Sequence, residues 1–496
     1  MSFTPAAHRA QALLPSLFAV AVLVMLSAMA VPMTQSDGDL FAHIAAGRRM
    51  LTDGPPVHVS PAWGSAALFA WLHGIGGLPF VLLGVAVTAA ITHAMVVRYL
   101  MQSALPTRIV VVAAALGVTL AASHWLARPH AFSLLGAAVL VLVLTSARRR
   151  AHWGLVPLFG IWANLHGGWS YGLLLLVAYS TAGYVDRWRT RARTDEHVAP
   201  SRTAPRIGVV LLAALMTFAT PYGGTLHATV LRTLGDAELA RTIREHRPPS
   251  FDAPVDVLFL LVVVLAAIGL WRTRGRIPLP VATLILLSAV AGVRASRHVA
   301  LFAVTGWPLL VVHVGPHVVR RAWREVDRTG PAWYGALPGA IACVAALIVG
   351  SHGGVLFSRP VLRVPIDARR FPVAALDRLH DAPPVDPLLT TWAWSGYVPY
   401  ASSGRRAWFD PLRFTPAEMR TLGQLLTVAP GWRATLDRLG IVTVLVERDA
   451  PLARALEQEP QWRVRYRDAT AVALQRRTKQ EGRTLTSRCG LPRGYL

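Results

Sequence analysis

Long apolar runs alternate with short polar turns through residues 1–357 of the chain. A helix needs about 20 mostly apolar residues to cross the hydrocarbon core of a bilayer, and many of these runs approach that length. The pattern predicts a polytopic α-helical membrane protein with about eleven transmembrane helices. Their predicted positions are 11–33, 79–98, 108–125, 131–147, 153–165, 169–185, 206–221, 255–271, 277–293, 299–315 and 333–353. The run 62–77 is short and interrupted by glycines, so we expect it to lie in the membrane interface.

Residues 358–496 show a different pattern, in which short valine-rich segments such as 441–447 and 469–475 alternate with helical ones. This alternation predicts a small α/β domain. No GxGxxG and no phosphate-loop motif occurs in it, so nothing there indicates a nucleotide site. We therefore divide the chain into a transmembrane domain, 1–357, with a first outside loop at 34–78, and an extracytoplasmic domain, 358–496, expected to cover the outer face.

The composition supports a membrane protein and excludes a soluble domain and a nucleic-acid-binding protein. The 496 residues are 53% hydrophobic and only 15% charged, whereas soluble domains carry about a quarter charged residues. The net charge of +24 is spread over many loops rather than gathered in one patch, so we expect no nucleic-acid partner. The two cysteines, Cys343 and Cys489, form neither a disulfide framework nor a metal motif.

Arginine-rich loops predict the orientation, because such loops face the cytoplasm. They occur at 148–150, 186–197, 272–276 and 320–328, all on one side of the predicted helices. The N-terminus is then cytoplasmic, and the C-terminal domain lies outside the bacterial cytoplasmic membrane. The run 11–33 also has features of a cleaved signal peptide. We interpret it as an uncleaved first span, because the acidic segment that follows belongs with the membrane part.

Polar residues in the predicted outside loops carry the candidate chemistry. They are Asp37, Asp39, His43, Arg128, His130, Asn164, His166, Tyr222, Arg294, Arg297 and His298. Ionisable groups at a membrane boundary are costly, so their grouping on one side predicts a shared water-filled cavity. Arginines and histidines suit a phosphate. Asp37 and Asp39 suit a general base or ligands of Mg²⁺ or Mn²⁺.

Each of these residues also has a simpler interpretation. Asp37 is a candidate helix N-cap, and Asp39 and His43 are spaced to pair on one helix face. Arg128 and Arg297 are candidates for interfacial anchors whose charged heads reach water. His130 and His166 are candidates for helix caps. Such independent roles would scatter over both sides of the membrane, so the one-sided pattern favours a binding site.

At these residues the chain resembles the predicted bacterial membrane proteins of the GT-C glycosyltransferase superfamily. The resemblance begins with "DGDLFAHIAAGRRML" at 37–51 and continues, in order, with "RPHAFSLL" (128–135), "WANLHGGW" (162–169), "TPYGGTLH" (220–227), "REHRPPSF" (244–251) and "RASRHVALFAV" (294–304). The tail segments "WSGYVPY" (394–400) and "RAWFDPLR" (406–413) extend it to most of the chain. One departure is "PAWGSAALFAWL" (61–72), which lacks an acid that this group often has near a tryptophan.

The resemblance implies a glycosyltransferase that uses a polyprenyl-phosphate-linked sugar at the outer face, with Asp39, and with it Asp37, as base or metal ligand. A glycan, lipid or protein is the expected acceptor. Two alternatives remain open from the sequence. A lipid-linked sugar transporter predicts inverted repeats and polar residues deep in the helices, and neither is evident. A non-catalytic assembly protein predicts that function survives the loss of both aspartates.

Overall fold

The computed structural model describes residues 12–36, 38–55, 58–122, 124–192, 204–236, 238, 243–274, 276–318, 336–380, 388–402 and 405–477. The chain is mostly helical, with a small sheet near its C-terminus. It divides into two compact units. The first unit comprises Met1–Val31 and Gly47–Val364, and the second comprises Pro32–Ala46 and Pro365–Leu496.

Helices account for nearly all regular structure before residue 352. They are α1 Leu14–Ser36, α2 Asp39–Asp53, α3 Trp63–Leu100, α4 Thr107–Ala122, α5 His130–Leu144, α6 Leu155–Leu165, α7 Trp169–Ala192, α8 Ile207–Met216, α9 Gly224–Gly235, α10 Pro254–Arg272, α11 Leu279–Arg294, α12 Val299–Val304, α13 Gly306–His313, α14 Gly315–Val318 and α15 Leu337–Ser351. Short 3-10 turns occur at Arg149–Gly154, Arg244–His246 and Ser296–His298. A hairpin of β1 Val355–Leu356 and β2 Arg359–Pro360 follows α15.

The number of membrane-length helices differs from the sequence prediction. In the described part of the chain, three helices are long and apolar enough to cross a membrane: Leu14–Thr34, Trp63–Leu100 and Pro254–Arg272. The pair Ser296–Val304 and Gly306–Val318, bent by 42°, would make a fourth. The prediction of eleven spans is therefore wrong by this measure. Other apolar helices have only 10–17 residues, which cover about 15–25 Å against about 30 Å of hydrocarbon.

The predicted interfacial helix at 62–77 and the predicted span at 79–98 form one element, α3, of 38 residues. A kink separates its two parts, because Gly76 and Gly77 have non-helical backbone angles. Gly77 has φ +64°, and a Cβ on Gly76 would lie 2.0 Å from the carbonyl oxygen of Gly350. Glycine therefore permits both the turn of the backbone and its close contact with α15.

The second unit contains a four-stranded sheet in the order β3-β4-β6-β5. Its strands are β3 Leu388–Thr390, β4 Thr443–Glu447, β5 Trp462–Arg467 and β6 Ala471–Arg476, and its helices are α16 Val373–His380, α17 Trp392–Ser395, α18 Tyr397–Ala401, α19 Pro416–Leu426, α20 Trp432–Arg438 and α21 Pro451–Glu457. β3 and β4 are parallel, and the other neighbours are antiparallel. Buried side chains of Val444, Leu474 and Trp432 contribute to a core between sheet and helices. The predicted alternation of strands and helices is therefore observed.

Candidate functional site

Three connections of the first unit bring ionisable side chains together. We call this group the basic loop cluster; it consists of His124, Arg128, His130, Glu245, His246, Arg297 and His298. His124 and Arg128 lie between α4 and α5, and His130 is the first residue of α5. Glu245 and His246 lie in the 3-10 turn that precedes α10, and Arg297 and His298 lie in the 3-10 turn that follows α11. All three connections lie in predicted outside loops, but only those of the first and third turns had their own ionisable residues selected as candidates.

Direct contacts join the second and third connections. The Arg297 guanidinium donates from Nη1 to Nε2 of His246, at 2.7 Å. Because Nε2 accepts this bond, a neutral His246 ring carries its proton on Nδ1. The Ser296 backbone N–H donates to the carbonyl oxygen of Arg247 at 2.9 Å, and the Ser296 hydroxyl donates to that of Glu245 at 3.3 Å. The side chains are therefore held by a fixed backbone arrangement.

The first connection joins the cluster through one ion pair and its histidines. Arg128 Nη1 lies 3.7 Å from Glu245 Oε2, and both side chains are partly exposed. His130 donates from Nε2 to the backbone oxygen of His124, and the two rings are nearly perpendicular with centroids 5.9 Å apart. His298 donates from Nδ1 to the Ala291 oxygen at 3.1 Å. These bonds fix the orientation of both imidazole rings.

The electrostatics of the cluster keep two of its histidines neutral. Burial, followed by the positive charges of His130 and Arg128, lowers the pKa of His124 to about 3. Burial and then the charge of Arg297 lower the pKa of His246 to about 4, although Glu245 opposes the shift. At pH 7 the site therefore offers two guanidinium groups against one carboxylate, beside the neutral imidazoles of His124 and His246. Such a donor set suits an anion with several oxygens.

Two other predicted residues belong to a second group, the interhelix polar network, which consists of Trp63, Ser133, Trp162, Asn164 and His166. The Asn164 amide donates to the carbonyl oxygens of Gly160 at 2.7 Å and Ala219 at 2.9 Å. Its Oδ1 accepts from Nε1 of Trp63 at 3.1 Å. Asn164 thus ties its own helix, α6, to α3 and to the turn after α8.

His166 is oriented by the same network. Its Nδ1 accepts from the Ser133 hydroxyl at 2.7 Å and from the Gly168 backbone N–H at 3.2 Å. The Ser133 oxygen in turn accepts from Nε1 of Trp162 at 2.8 Å. Because Nδ1 is an acceptor, a neutral His166 ring carries its proton on Nε2. The network therefore presents His166 as a donor at that atom.

Tyr222 and Arg294 lie apart from these hydrogen bonds. Tyr222 packs partly buried against the core of the first unit, and burial raises the pKa of its hydroxyl, with a smaller opposing effect from the Ser60 backbone. Arg294 is exposed at the last residue of α11, where a positive charge is favourable to the helix dipole. Their substrate-binding roles stay predictions.

The opening motif belongs to the second unit. Asp39 is the first residue of α2, a position that favours a carboxylate, and His43 is buried one turn later. Between them, Phe41 is fully buried, with ring centroids 5.2 Å from Phe371 and 4.7 Å from Tyr400. Asp37 lies outside the described residues. The structure thus groups Asp39 and His43 with the second unit and the basic loop cluster with the first.

Two glycines explain how the motif is held in the second unit. A Cβ on Gly38 would lie 2.5 Å from the carbonyl oxygen of Ala393, and one on Gly396 would lie 2.3 Å from the carbonyl oxygen of Gly38. Any side chain at either position would therefore collide with backbone. The small residue between the two acids of "DGD" is required by packing against the segment around 393–396.

A metal site does not form among the described residues. No group of three or more His, Cys, Asp and Glu side chains in that part of the chain is arranged to hold an ion. The predicted metal ligands were Asp37 and Asp39, and Asp37 lies outside the described residues, so their binding of Mg²⁺ or Mn²⁺ stays a prediction.

Sequence reasoning did not select Glu245 and His246 as site residues. They lie in "REHRPPSF" (244–251), near the end of the predicted outside loop 221–254. The signal was present, because four ionisable residues in a row precede two prolines there. Spacing alone does not show that this turn contacts Ser296 and Arg297, some fifty positions later in the chain.

Comparisons with known proteins found structural neighbours only. The oligosaccharyltransferase AglB of Archaeoglobus fulgidus, solved with an inhibitory peptide and a dolichol-phosphate, is 10% identical, with a TM-score of 0.47 over 86% of this chain and 69% of that chain. The apo form of the Archaeoglobus fulgidus oligosaccharyltransferase is 11% identical, with a TM-score of 0.47 over 87% of this chain and 69% of that chain. No family model matches the chain, and no curated protein is similar to it.

Proposed function

We propose that this protein is a membrane glycosyltransferase that moves a sugar from a polyprenyl-phosphate-linked donor to an acceptor at the outer face of the bacterial cytoplasmic membrane. The basic loop cluster carries the proposal. It combines two guanidinium groups and several imidazoles with one carboxylate at the ends of apolar helices. A phosphate attached to a lipid tail is the anion that matches both the charge and the surroundings.

The reaction follows from the chemistry of that donor. The acceptor hydroxyl attacks the anomeric carbon, a new carbon–oxygen bond forms, and the bond between that carbon and the phosphate oxygen breaks. The phosphate leaves with the bonding electrons, and Arg128 and Arg297 stabilise its growing charge. Donors preorganised around a developing anion are among the largest contributions to catalysis. The neutral His246, bonded to Arg297, fixes the plane of that guanidinium.

The proton of the acceptor hydroxyl needs a base. We assign this role to Asp39, with Asp37 as a second carboxylate, because an ionised aspartate accepts a proton as the oxygen becomes bonded to carbon. His43 follows Asp39 by one turn of the same helix and is proposed to orient it. His130 and His166 are proposed to orient donor or acceptor, and Tyr222 and Arg294 to line the substrate site. Asn164, whose amide is fully bonded within the protein, is proposed to hold the helices beside that site.

The test uses the purified full-length chain with radiolabelled polyprenyl-phosphate sugars and membrane extract as the source of acceptor. Wild-type protein is expected to form a labelled product. Asp39→Asn should lower the rate by about 10²- to 10⁴-fold, the usual contribution of a general base. Asp53→Asn is the matched control, because Asp53 is an exposed acid at the other end of the same helix. Product formation that is unchanged in Asp39→Asn would remove the proposed base, and no product with any donor would refute the function.

A further inference from the structure

A second group of basic residues lies at the other end of the helices that carry the basic loop cluster. α5 begins at His130, in that cluster, and its 15 residues end at Leu144, about 22 Å away. α7 runs alongside: its Tyr171 ring stacks on His298 with centroids 6.1 Å apart, and its Tyr179 hydroxyl donates to the Leu144 oxygen at 2.9 Å. Residues beyond Leu144 and Tyr179 therefore lie away from the candidate site.

Two cationic or potentially cationic side chains lie at that end, one buried and one partly buried. His152, in the 3-10 turn Arg149–Gly154, is only 3% exposed. Arg187, on α7, donates from Nη2 to the Ala204 oxygen at 3.0 Å and lies over the Tyr184 ring at 5.1 Å. These contacts hold the guanidinium in one plane and leave little freedom for it to turn toward bulk water.

Each of these side chains has one buried atom without a hydrogen bond. In the part of the chain that the structure describes, neither Nε2 of His152 nor Nε of Arg187 has a partner. A buried polar atom left unsatisfied costs about 1–3 kcal/mol, so such atoms point to a missing ligand. Burial, followed by the charges of Arg149 and Arg187, lowers the pKa of His152. The positive charges of Arg149 and Arg187 therefore both reach the His152 ring, and together they favour a bound anion.

The surroundings indicate where that anion comes from. Trp153 and Trp188, next in sequence to His152 and Arg187, are 53% and 70% exposed. Exposed tryptophans are typical of the level of lipid headgroups. Arg148, Arg149 and Arg150 are exposed as well, and the neighbouring Asp186 supplies one carboxylate against these positive charges. Basic pockets between membrane helices bind the headgroups of anionic lipids.

We propose that Arg149, His152 and Arg187 form a binding site for the phosphate of an anionic phospholipid. The guanidinium of Arg187 provides a planar set of donors for phosphate oxygens, His152 adds a buried ring nitrogen, and Arg149 adds charge at the rim. Trp153 and Trp188 contact the acyl-chain and glycerol region of the same lipid. The site is separate from the basic loop cluster and does not depend on the proposed transfer reaction.

The test is a lipid titration of the full-length chain in detergent, followed by thermal unfolding and by mass spectrometry of intact complexes. Phosphatidylglycerol should raise the melting temperature and remain bound, whereas phosphatidylcholine and inorganic phosphate should do neither. Arg187→Gln and Arg149→Gln should each weaken phosphatidylglycerol binding by about fivefold, the effect of one arginine near an anionic lipid surface. Arg149 is exposed, so its variant remains informative if Arg187→Gln fails to fold.

Arg276→Gln is the matched control, because Arg276 is an exposed arginine of another loop and has no contact with this group. Unchanged lipid affinity in that variant, beside weakened affinity in the other two, supports the site. An equal loss in all three variants would show a general attraction to charge and overturn the proposal. Protection by inorganic phosphate equal to that by phosphatidylglycerol, or no bound lipid at all, would also overturn it.

Discussion

The interhelix polar network and the basic loop cluster both lie in the first unit, and both contain residues that the sequence predicts to bind substrate. In the network, both polar atoms of the Asn164 side chain are bonded to the protein, with partners in three different parts of the unit. In the cluster, Arg297 donates to His246 and Arg128 pairs loosely with Glu245 at 3.7 Å. A guanidinium has several further N–H groups beyond one such bond.

This difference distinguishes residues that hold helices together from residues that can bind a ligand, although both groups come from predicted outside loops. A neutral amide whose donors and acceptor are all used holds helices together and has little capacity left for a ligand. Two arginines facing a single carboxylate leave positive charge that an incoming anion can neutralise. We therefore assign anion binding to the basic loop cluster and a positioning role to the interhelix polar network. Substitutions in the cluster should lower activity more than stability, and substitutions in the network should lower stability more than activity.

The largest expected effect is the loss of transfer on replacing Arg297. Arg297→Ala removes a donor aimed at the leaving phosphate, so we expect the rate of sugar transfer to fall by about 10²- to 10³-fold. The melting temperature should change little, because the side chain is only partly buried. The measurement is initial rate at saturating donor, with unfolding followed on the same preparation.

Arg232→Ala is the control for this variant. Arg232 is an exposed arginine of α9, so it removes the same charge without touching the cluster. If both variants lose activity equally, general charge rather than the cluster would account for the effect. Transfer by Arg297→Ala at the wild-type rate would contradict the assignment of phosphate binding to this group.

The second effect tests the network. Asn164→Ala removes three hydrogen bonds and leaves the Trp63 Nε1 donor without its acceptor, so we expect stability to fall by about 1–3 kcal/mol. The protein that remains folded should transfer sugar within about tenfold of the wild-type rate. Thermal unfolding and the transfer assay together measure both quantities.

Thr229→Ala provides a matched loss of one polar group, since the Thr229 hydroxyl only donates to the Thr225 oxygen on an exposed face of α9. Its stability should stay within about 0.5 kcal/mol of wild type. An Asn164→Ala variant that is fully stable but inactive would reverse the comparison, because Asn164 would then contact substrate.

Local pattern predicted much of the fold. The apolar runs became helices, and the valine-rich segments near 441–447 and 469–475 became β4 and β6. Helix lengths were less predictable, because prolines and polar residues at the ends of a run shorten the helix without changing the apolar pattern. α5 begins only after Pro129, and α8 ends at Met216 ahead of Pro221. Runs that looked long enough to span therefore yielded helices of 10–17 residues.

The sequence also predicted only part of the candidate site. Polar loops identify which residues lie near helix ends, and Arg128, Arg297 and His298 were found in this way. Hydrophobic pattern does not show which loops touch, so Glu245 and His246 were not selected. Nor does it show that Asp39 packs with the second unit, because this depends on the backbone contact between Gly38 and Gly396, far apart in the sequence.

The smallest expected effect is a pH dependence of stability to which the buried histidines of the cluster contribute. The pKa values of His124 and His246, lowered to about 3 and about 4 in the folded protein, rise to about 6.5 on unfolding. Between about pH 6.5 and 4 the unfolded chain binds protons that the folded chain does not, so stability falls as the pH falls. His246 is partly exposed and contributes less than its full shift. We expect a loss of about 1 kcal/mol per pH unit from these groups, and His124→Gln should flatten the slope. Asn164→Ala has no titrating group, so its stability curve should run parallel to that of wild type. A slope unchanged by His124→Gln would show that the cluster is not buried as described.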